Sequence, residues 1–348
     1  MATKNKINIE FKPKQVTKRL LSVLESRAQD VLVSRYGLGK NTDRMTLEAI
    51  GKKYNITRER VRQIENHALN NIRKSDTYKK ELAAFEELEK LVYGLGSIVA
   101  EDDLLEYLSS SKGIQNHIHF LLVTGQPFLK QKEDKEFRHR WHVDEDISNK
   151  IHTSLQALYE NLSDDELIPE ADMIKQFLEH VKDVSDEYKN DEIVKRWLSL
   201  SKKIGRNPLG EWGRAESPNV NTKGMRDYAF LVIRKHGSPI HFREVAKAIE
   251  ETFNRKAHVA TTHNELIKDA RFVLVGRGLY ALREWGYVSG VVRDVIKDII
   301  KQAGPLSREE IIEKVMKERY VKENTIMVNL QNPKYFKKDA SGKYSIAG

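Results

Sequence analysis

The sequence has 348 residues, no cysteine, and 60 Lys and Arg residues against 51 Asp and Glu residues, a formal net charge of +9. This length predicts two or three domains, and the absence of cysteine excludes disulfide bonds, thiolate metal sites and a cysteine nucleophile. No apolar run approaches the ~20 residues that a membrane-spanning helix needs, so we expect a protein with no membrane partner.

The charge is distributed unevenly along the chain. Residues 1–82 contain 19 basic and 9 acidic residues, a net charge of +10. Residues 83–222 contain 17 basic and 27 acidic residues, a net charge of −10. Residues 223–348 contain 24 basic and 15 acidic residues, a net charge of +9. Basic ends favour a polyanion such as nucleic acid. The acidic middle is predicted to be a spacer or a segment that contacts another protein, and an ordinary solvated surface is an equal alternative.

The first 15 residues, MATKNKINIEFKPKQ, are basic and polar. They lack the apolar core of a secretory signal, and we therefore expect a cytoplasmic protein. Residues 1–15 are predicted to be a disordered basic tail.

Residues 16–82 are predicted to form a helix-turn-helix domain. Thr46 can cap a first helix, and Thr57 can cap a second helix after a short turn. At 100° per residue, four polar residues of the second helix lie within roughly 140° of one another: Arg58, Glu59, Arg62 and Gln63. An apolar seam gathers on the other side: Val61, Ile64, Ala68 and Ile72. Such a helix is either an ordinary amphipathic surface helix or a recognition helix for the major groove.

The polar residues suit the edges of bases. Arg can donate two hydrogen bonds to guanine, Gln can pair with adenine, and Glu can accept from the cytosine amino group. Arg60 lies at the flank of this face, where it could reach a phosphate. The residue pattern is therefore compatible with binding to double-stranded DNA, and an ordinary amphipathic surface helix remains the equal alternative.

Residues 26–74 resemble region 4 of the primary, sigma-70-type sigma factors of bacterial RNA polymerase. The run TLEAIGKKYNITRERVRQIE, which starts at residue 46, carries most of the likeness. In that family the region binds the −35 promoter element and grips the flap of the polymerase β subunit. The resemblance implies that the bases are read by Arg58, Glu59, Arg62 and Gln63. It also implies that Thr46 and Leu47 meet phosphate, that Arg60 meets the DNA backbone, and that core polymerase is a partner.

The resemblance covers about a seventh of the chain. His67 and Asn70 stand where the family has basic residues that meet activators, whereas Arg73 is retained. Nothing in the rest of the chain resembles the sigma regions that clamp the polymerase core and melt the −10 element. We therefore expect that the protein is not a complete sigma factor.

A weak internal repeat occupies the rest of the chain. Four segments with a helix-start signal, early acidic residues and an apolar helical period begin at residues 99, 168, 240 and 306. Each follows another predicted helix, and three precede two strand-like runs around a polar turn. The order of helix, helix, helix and hairpin predicts winged helices. The predicted domains are 83–144, 145–222 with a degenerate wing, 223–288, and 289–348. The fold class is mainly α with small β-hairpin wings, in tandem helix-turn-helix and winged-helix domains.

The copy at 223–288 is similar to the HARE-type winged helix, which occurs in the delta subunit of RNA polymerase and beside some nucleases and chromatin factors. The likeness lies in SPIHFREVAKAIEE from residue 238 and in the ends of the predicted hairpin, Arg271-Phe272 and Leu282 to Trp285. The resemblance implies a module that binds either DNA or protein.

No enzyme, cofactor or metal signature stands out. GLGK at 37–40 lacks the glycine spacing of a phosphate loop, and GRG at 276–278 is predicted to be a hairpin turn. The pairs His117 with His119 and His139 with His142 have no cysteine or carboxylate spacing to complete a metal site. We expect no catalysis, no cofactor and no small-molecule substrate.

The sequence favours one function and leaves two alternatives open. The favoured function is a DNA-binding transcription regulator that acts with RNA polymerase and reads a −35-like element. One alternative is a delta-like accessory subunit with non-specific DNA contacts. The other is a specificity module for a nuclease that acts in trans.

Overall fold

The computed structural model describes residues 9–181, 184–287 and 290–347. It is 57 % helical, and its strands form four small antiparallel sheets among the described residues, which confirms the predicted fold class. In these ranges no helix combines the length and apolar character needed to cross a membrane. The chain divides into two compact units, Met1–Gly205 with Trp212–Ala215 and Arg206–Glu211 with Glu216–Gly348.

The first unit begins with five helices: α1 Pro13–Leu21, α2 Ser26–Tyr36, α3 Leu47–Tyr54, α4 Arg58–Lys74 and α5 Asp76–Lys80. Residues 1–8 of the predicted tail lie outside the described residues. Residues 13–15 are helical rather than disordered, because Pro13 suits a first helical position and the helix buries Val16 and Leu20.

The next part of the first unit contains three helices and three short strands: α6 Leu82–Gly94, β1 Ile98–Ala100, α7 Glu101–Leu108, α8 Lys112–Thr124, β2 Leu129–Gln131 and β3 Arg140–His142. Strand β3 is central, with Trp141 opposite Val99 of β1 and Lys130 of β2. We call these residues, 82–142, the first winged helix.

The second copy of the repeat comprises α9 Glu145–Asn161, α10 Glu170–His180, α11 Asp191–Leu198, β4 Ile204–Arg206 and β5 Trp212–Arg214. All of these elements except Arg206 belong to the first unit. Strands β4 and β5 form a sheet, and Ile168 bridges to Trp212 as a rudimentary third strand. A hairpin is therefore present in the copy whose wing was predicted to be degenerate.

The second unit contains two further copies. One comprises α12 Met225–His236, β6 Ile240–His241, α13 Phe242–Phe253, α14 Val259–Lys268, β7 Phe272–Gly276 and β8 Leu279–Leu282. The other comprises α15 Val292–Ala303, α16 Arg308–Glu318, α17 Glu323–Leu330, β9 Phe336–Lys338 and β10 Tyr344–Ile346. Gly278 closes the β7–β8 turn at φ +73°, and a Cβ there would lie 2.6 Å from His241 Nε2.

The predicted boundary between residues 82 and 83 does not separate two hydrophobic cores. One continuous core contains Val16 and Leu20 of α1 together with Phe120 and Leu121 of α8. The remaining domain boundaries stay predictions, although helix, helix, helix and hairpin recur in this order in all four copies.

Candidate nucleic-acid interface

Helices α3 and α4 start at side-chain caps, as the sequence predicted. Thr46 Oγ1 accepts a hydrogen bond from the Ala49 amide at 3.1 Å, and Thr57 Oγ1 accepts one from the Arg60 amide at 3.2 Å. Asn55, at φ +52°, ends α3 in the left-handed conformation. A cap of this kind is worth about 1 kcal/mol, so both helix starts are strongly specified.

Helix α4 is anchored by one apolar face. Val61, Ala68 and Ile72 are fully buried, and Ile64 is half-buried. Val61 packs with Ile50 of α3 and Val31 of α2 in a small core. The predicted seam is confirmed, and it fixes which side of α4 faces solvent.

The other face of α4 is open. Its exposed polar residues are Arg58, Glu59, Arg60, Arg62 and Gln63. Thr46 is exposed at the start of α3, whereas the Leu47 side chain is half-buried against the small core. The structure therefore exposes the five predicted α4 residues and Thr46, whereas Leu47 could present only its backbone amide.

Two arginines of this face contact neighbouring polar side chains in the free protein. Arg62 Nη2 and Nε donate to the two Glu59 carboxylate oxygens at 2.7 and 2.9 Å, and Arg60 Nη1 donates to Gln63 Oε1 at 3.1 Å. The hydrogen bond from Arg62, followed by the charges of Arg62 and Arg58, lowers the pKa of Glu59. Glu59 is therefore ionised at neutral pH and can act as an acceptor only.

Residues 20–74 match the family sigma-70, region 4. The chain is 48 % identical over 59 residues to RNA polymerase sigma factor RpoD of Neisseria gonorrhoeae, an alignment that covers 17 % of this chain and 9 % of the relative. It is 45 % identical over 62 residues to RNA polymerase sigma factor SigA of Clostridium acetobutylicum, which covers 18 % of this chain and 16 % of that relative. The chain thus spans less than a fifth of the length of these relatives. We call helices α1–α4 the region 4 module, of which only residues 20–74 match the family.

The region 4 module contains a buried carboxylate that the sequence analysis did not single out. Glu65 of α4 is 9 % exposed. It accepts a hydrogen bond from the Tyr36 hydroxyl at 2.7 Å, and Arg35 Nε lies 3.5 Å from the same oxygen. Burial and the neighbouring Glu65 charge raise the pKa of Tyr36. The helical period could have found this residue, because Glu65 lies one turn after buried Val61.

Arg35 extends this contact to the start of α3. Its Nη1 donates to the Met45 carbonyl oxygen at 3.0 Å, one residue before Thr46. Glu65 therefore links α4, through Arg35, to the N-terminus of α3.

Arg73, which the family pattern also has at this position, contacts α8 of the first winged helix. Its Nε donates to the Thr124 carbonyl oxygen at 3.0 Å and its Nη2 to the Val123 carbonyl oxygen at 2.7 Å. Arg73 thus binds the C-terminal end of α8, where a cation is favourable. His67 and Asn70 are exposed on α4.

Within the described ranges, no three His, Asp or Glu side chains are grouped so that they could hold a metal ion. His119 lies inside α8, with its Nε2 3.5 Å from Glu101 Oε2, and burial lowers the pKa of this histidine. Glu101 also accepts a hydrogen bond from the Trp141 indole at 2.8 Å. Both His117 and His119 are buried in the protein interior.

Proposed function

We propose that the protein is a DNA-binding transcription regulator that acts with bacterial RNA polymerase and reads a −35-like element in duplex DNA. The observation that carries this proposal is the exposed polar face of α4, which is held outward by the buried seam of Val61, Ala68 and Ile72. The match of residues 20–74 to sigma-70, region 4 supports the same assignment.

Base reading is assigned to four side chains of α4. Arg58 and Arg62 can each present two donors to guanine, Glu59 can accept from cytosine, and Gln63 can pair with adenine. The free protein already holds Arg62 against Glu59. An exposed ion pair of this kind contributes little because water screens both charges, whereas a good bidentate base contact is worth about 1–3 kcal/mol. Exchange of the ion pair for a base contact is therefore favourable.

Phosphate contacts are assigned to Thr46, Leu47 and Arg60. Leu47 is the first residue of α3, and the amides at a helix N-terminus are free to donate to an anion. Arg60 is exposed beside the four base-reading residues of α4, which form what we call the reading face. These contacts position the module on the duplex and carry no base preference.

Polymerase is proposed as the protein partner because both relatives described above are named RNA polymerase sigma factors. The β flap is the surface that the resemblance implies. The net charge of +9 in residues 223–348 suits additional contacts to DNA next to the element.

Selection of bound duplexes from a random pool, with and without core polymerase, tests the proposal. We expect enrichment of one short element by the intact protein and loss of that enrichment in a protein with Arg58→Ala and Arg62→Ala. Polymerase binding without any enriched sequence, unaffected by these substitutions, would favour the accessory-subunit alternative instead.

A further inference from the structure

Helix α8 is buried around its whole circumference. Every residue from Asn116 to Leu122 is at most 7 % exposed. A helix that is covered on all sides has packing partners on opposite faces. One set of contacts is with α7 of its own winged helix, and the other is with α1, α2 and α4 of the region 4 module.

The contact with the region 4 module is apolar and extensive. Leu69 and Ile72 of α4 belong to the same core as Phe120 of α8. The ring of Tyr36 lies 5.4 Å from the ring of Phe120, in an edge-to-face arrangement, and its hydroxyl binds Glu65 of α4. Helix α8 therefore packs against the buried apolar side of the module, which we call its apolar face. It also contacts Tyr36, whose hydroxyl donates to Glu65 of α4.

A buried amide joins α8 to the connection between α2 and α3. Asn116 Nδ2 donates to the carbonyl oxygens of Gly37 at 3.0 Å and Thr42 at 2.8 Å. Asn116 Oδ1 accepts from Arg44 Nε at 2.9 Å. A Cβ at Gly37 would lie 2.7 Å from the Asn116 amide nitrogen. The buried Asn116 amide thus uses both its donor and its acceptor to hold the segment from Gly37 to Arg44, which leads into α3.

We propose that the first winged helix is the built-in protein partner of the region 4 module. Helix α8 closes the apolar face of the module permanently, and Asn116 is a positioning residue that sets the approach of Thr46 and α3 to DNA. Opening this face would unpair the three hydrogen bonds of Asn116 and the two of Arg73 and would expose the shared core. Polymerase therefore contacts the protein through surfaces other than the face that α8 covers. The part that concerns DNA rests on the proposed function.

Hydrogen exchange on the full-length protein tests the positioning role. Asn116→Leu removes all three hydrogen bonds, and Asn149→Leu, at an exposed position of α9, is the matched control. We expect amides in residues 38–47 to exchange at least tenfold faster in Asn116→Leu and at the wild-type rate in the control. If Asn116→Leu does not fold, Asn116→Ser takes its place. Wild-type exchange in the Asn116 variant would overturn the proposal.

DNA binding gives a second readout that simple loss of stability would not produce. With both variants folded, Asn116→Leu should lower the ratio of selective to non-selective duplex affinity at least fivefold, with non-selective affinity unchanged. Equal losses on all duplexes would refute the positioning role. If the wild-type protein selects no sequence at all, the proposed function fails, while the exchange experiment still decides the role of Asn116.

The closed face has its own test. Exchange of the α8 amides is measured in the full-length protein with and without core RNA polymerase. We expect the amides of residues 116–124 to stay as slow with polymerase as without it. Acceleration of these amides by polymerase would show that α8 is displaced and would overturn the permanent closure.

Discussion

Replacement of Arg62 by alanine is the most direct perturbation of the proposed reading face. In the free protein Arg62 contacts Glu59 through two hydrogen bonds at the surface, and its own side chain is 54 % exposed. Because water screens such exposed pairs and they contribute little to stability, the substitution should leave the free energy of unfolding nearly unchanged. A loss of affinity for DNA would then report the lost contact rather than misfolding.

The expected effect on DNA follows from a single bidentate contact. Loss of one such contact costs about 1–3 kcal/mol, which corresponds to roughly 5- to 150-fold in affinity. Arg58→Ala should have an effect of similar size at a different base position. The loss should be confined to duplexes that carry the preferred base, so that discrimination at that one position disappears.

The assay is a binding titration at fixed salt against the selected duplex and against duplexes with each substituted base pair. Lys80→Ala, which removes one exposed charge from α5, serves as the control for net charge. An equal loss on every duplex, with base preference intact, would refute base reading and would make Arg62 a phosphate contact.

Two further predictions rest on buried contacts, and a third rests on the energetics of DNA melting. Tyr36→Phe leaves the buried Glu65 carboxylate without its hydroxyl donor, so the free energy of unfolding of the first unit should fall by about 1–3 kcal/mol in chemical denaturation; an unchanged midpoint would contradict the role of this contact. Burial and the charge of Arg140 lower the pKa of His152 to about 4. The stability that this neutral histidine contributes should therefore be complete above about pH 6.5 and should be lost as the pH falls toward 4. His152→Gln should flatten that part of the profile of unfolding free energy against pH, and a profile identical to that of the wild type would refute the assignment. Base flipping costs a few kcal/mol and normally needs a dedicated pocket, so this protein with core polymerase and its selected duplex should produce no permanganate-reactive thymines; melting without another sigma factor would refute this expectation.

The sequence predicted those features of the reading face that depend on local signals. Thr46 and Thr57 cap their helices through hydrogen bonds that span three residues. The exposed and buried faces of α4 follow from the helical period alone. Nothing beyond this one segment of chain is needed to predict that Arg62 points outward. The assignment of these residues to DNA contacts remains a prediction.

The features that could not be predicted depend on partners that are distant in the sequence. Arg73 binds carbonyl groups 50 and 51 residues away, and Asn116 binds the Gly37 carbonyl 79 residues away. The rudimentary strand at Ile168 is defined only by its bridge to Trp212. Periodicity describes one element at a time and carries no information about such pairings. The HARE-type resemblance of residues 223–288 also remains a prediction.

The core that α1, α2 and α4 share with α8 sets a limit on how this chain can be recombined. A chimera that transplants only residues 13–80 would leave Val16, Leu20 and Ile72 facing water, and a host sequence would have to supply a replacement for α8. A cassette that extends through β3, at His142, would carry most of this core with it. Grafts of new DNA specificity should therefore alter the exposed residues of α4 within the intact chain, rather than exchange the whole helix-turn-helix.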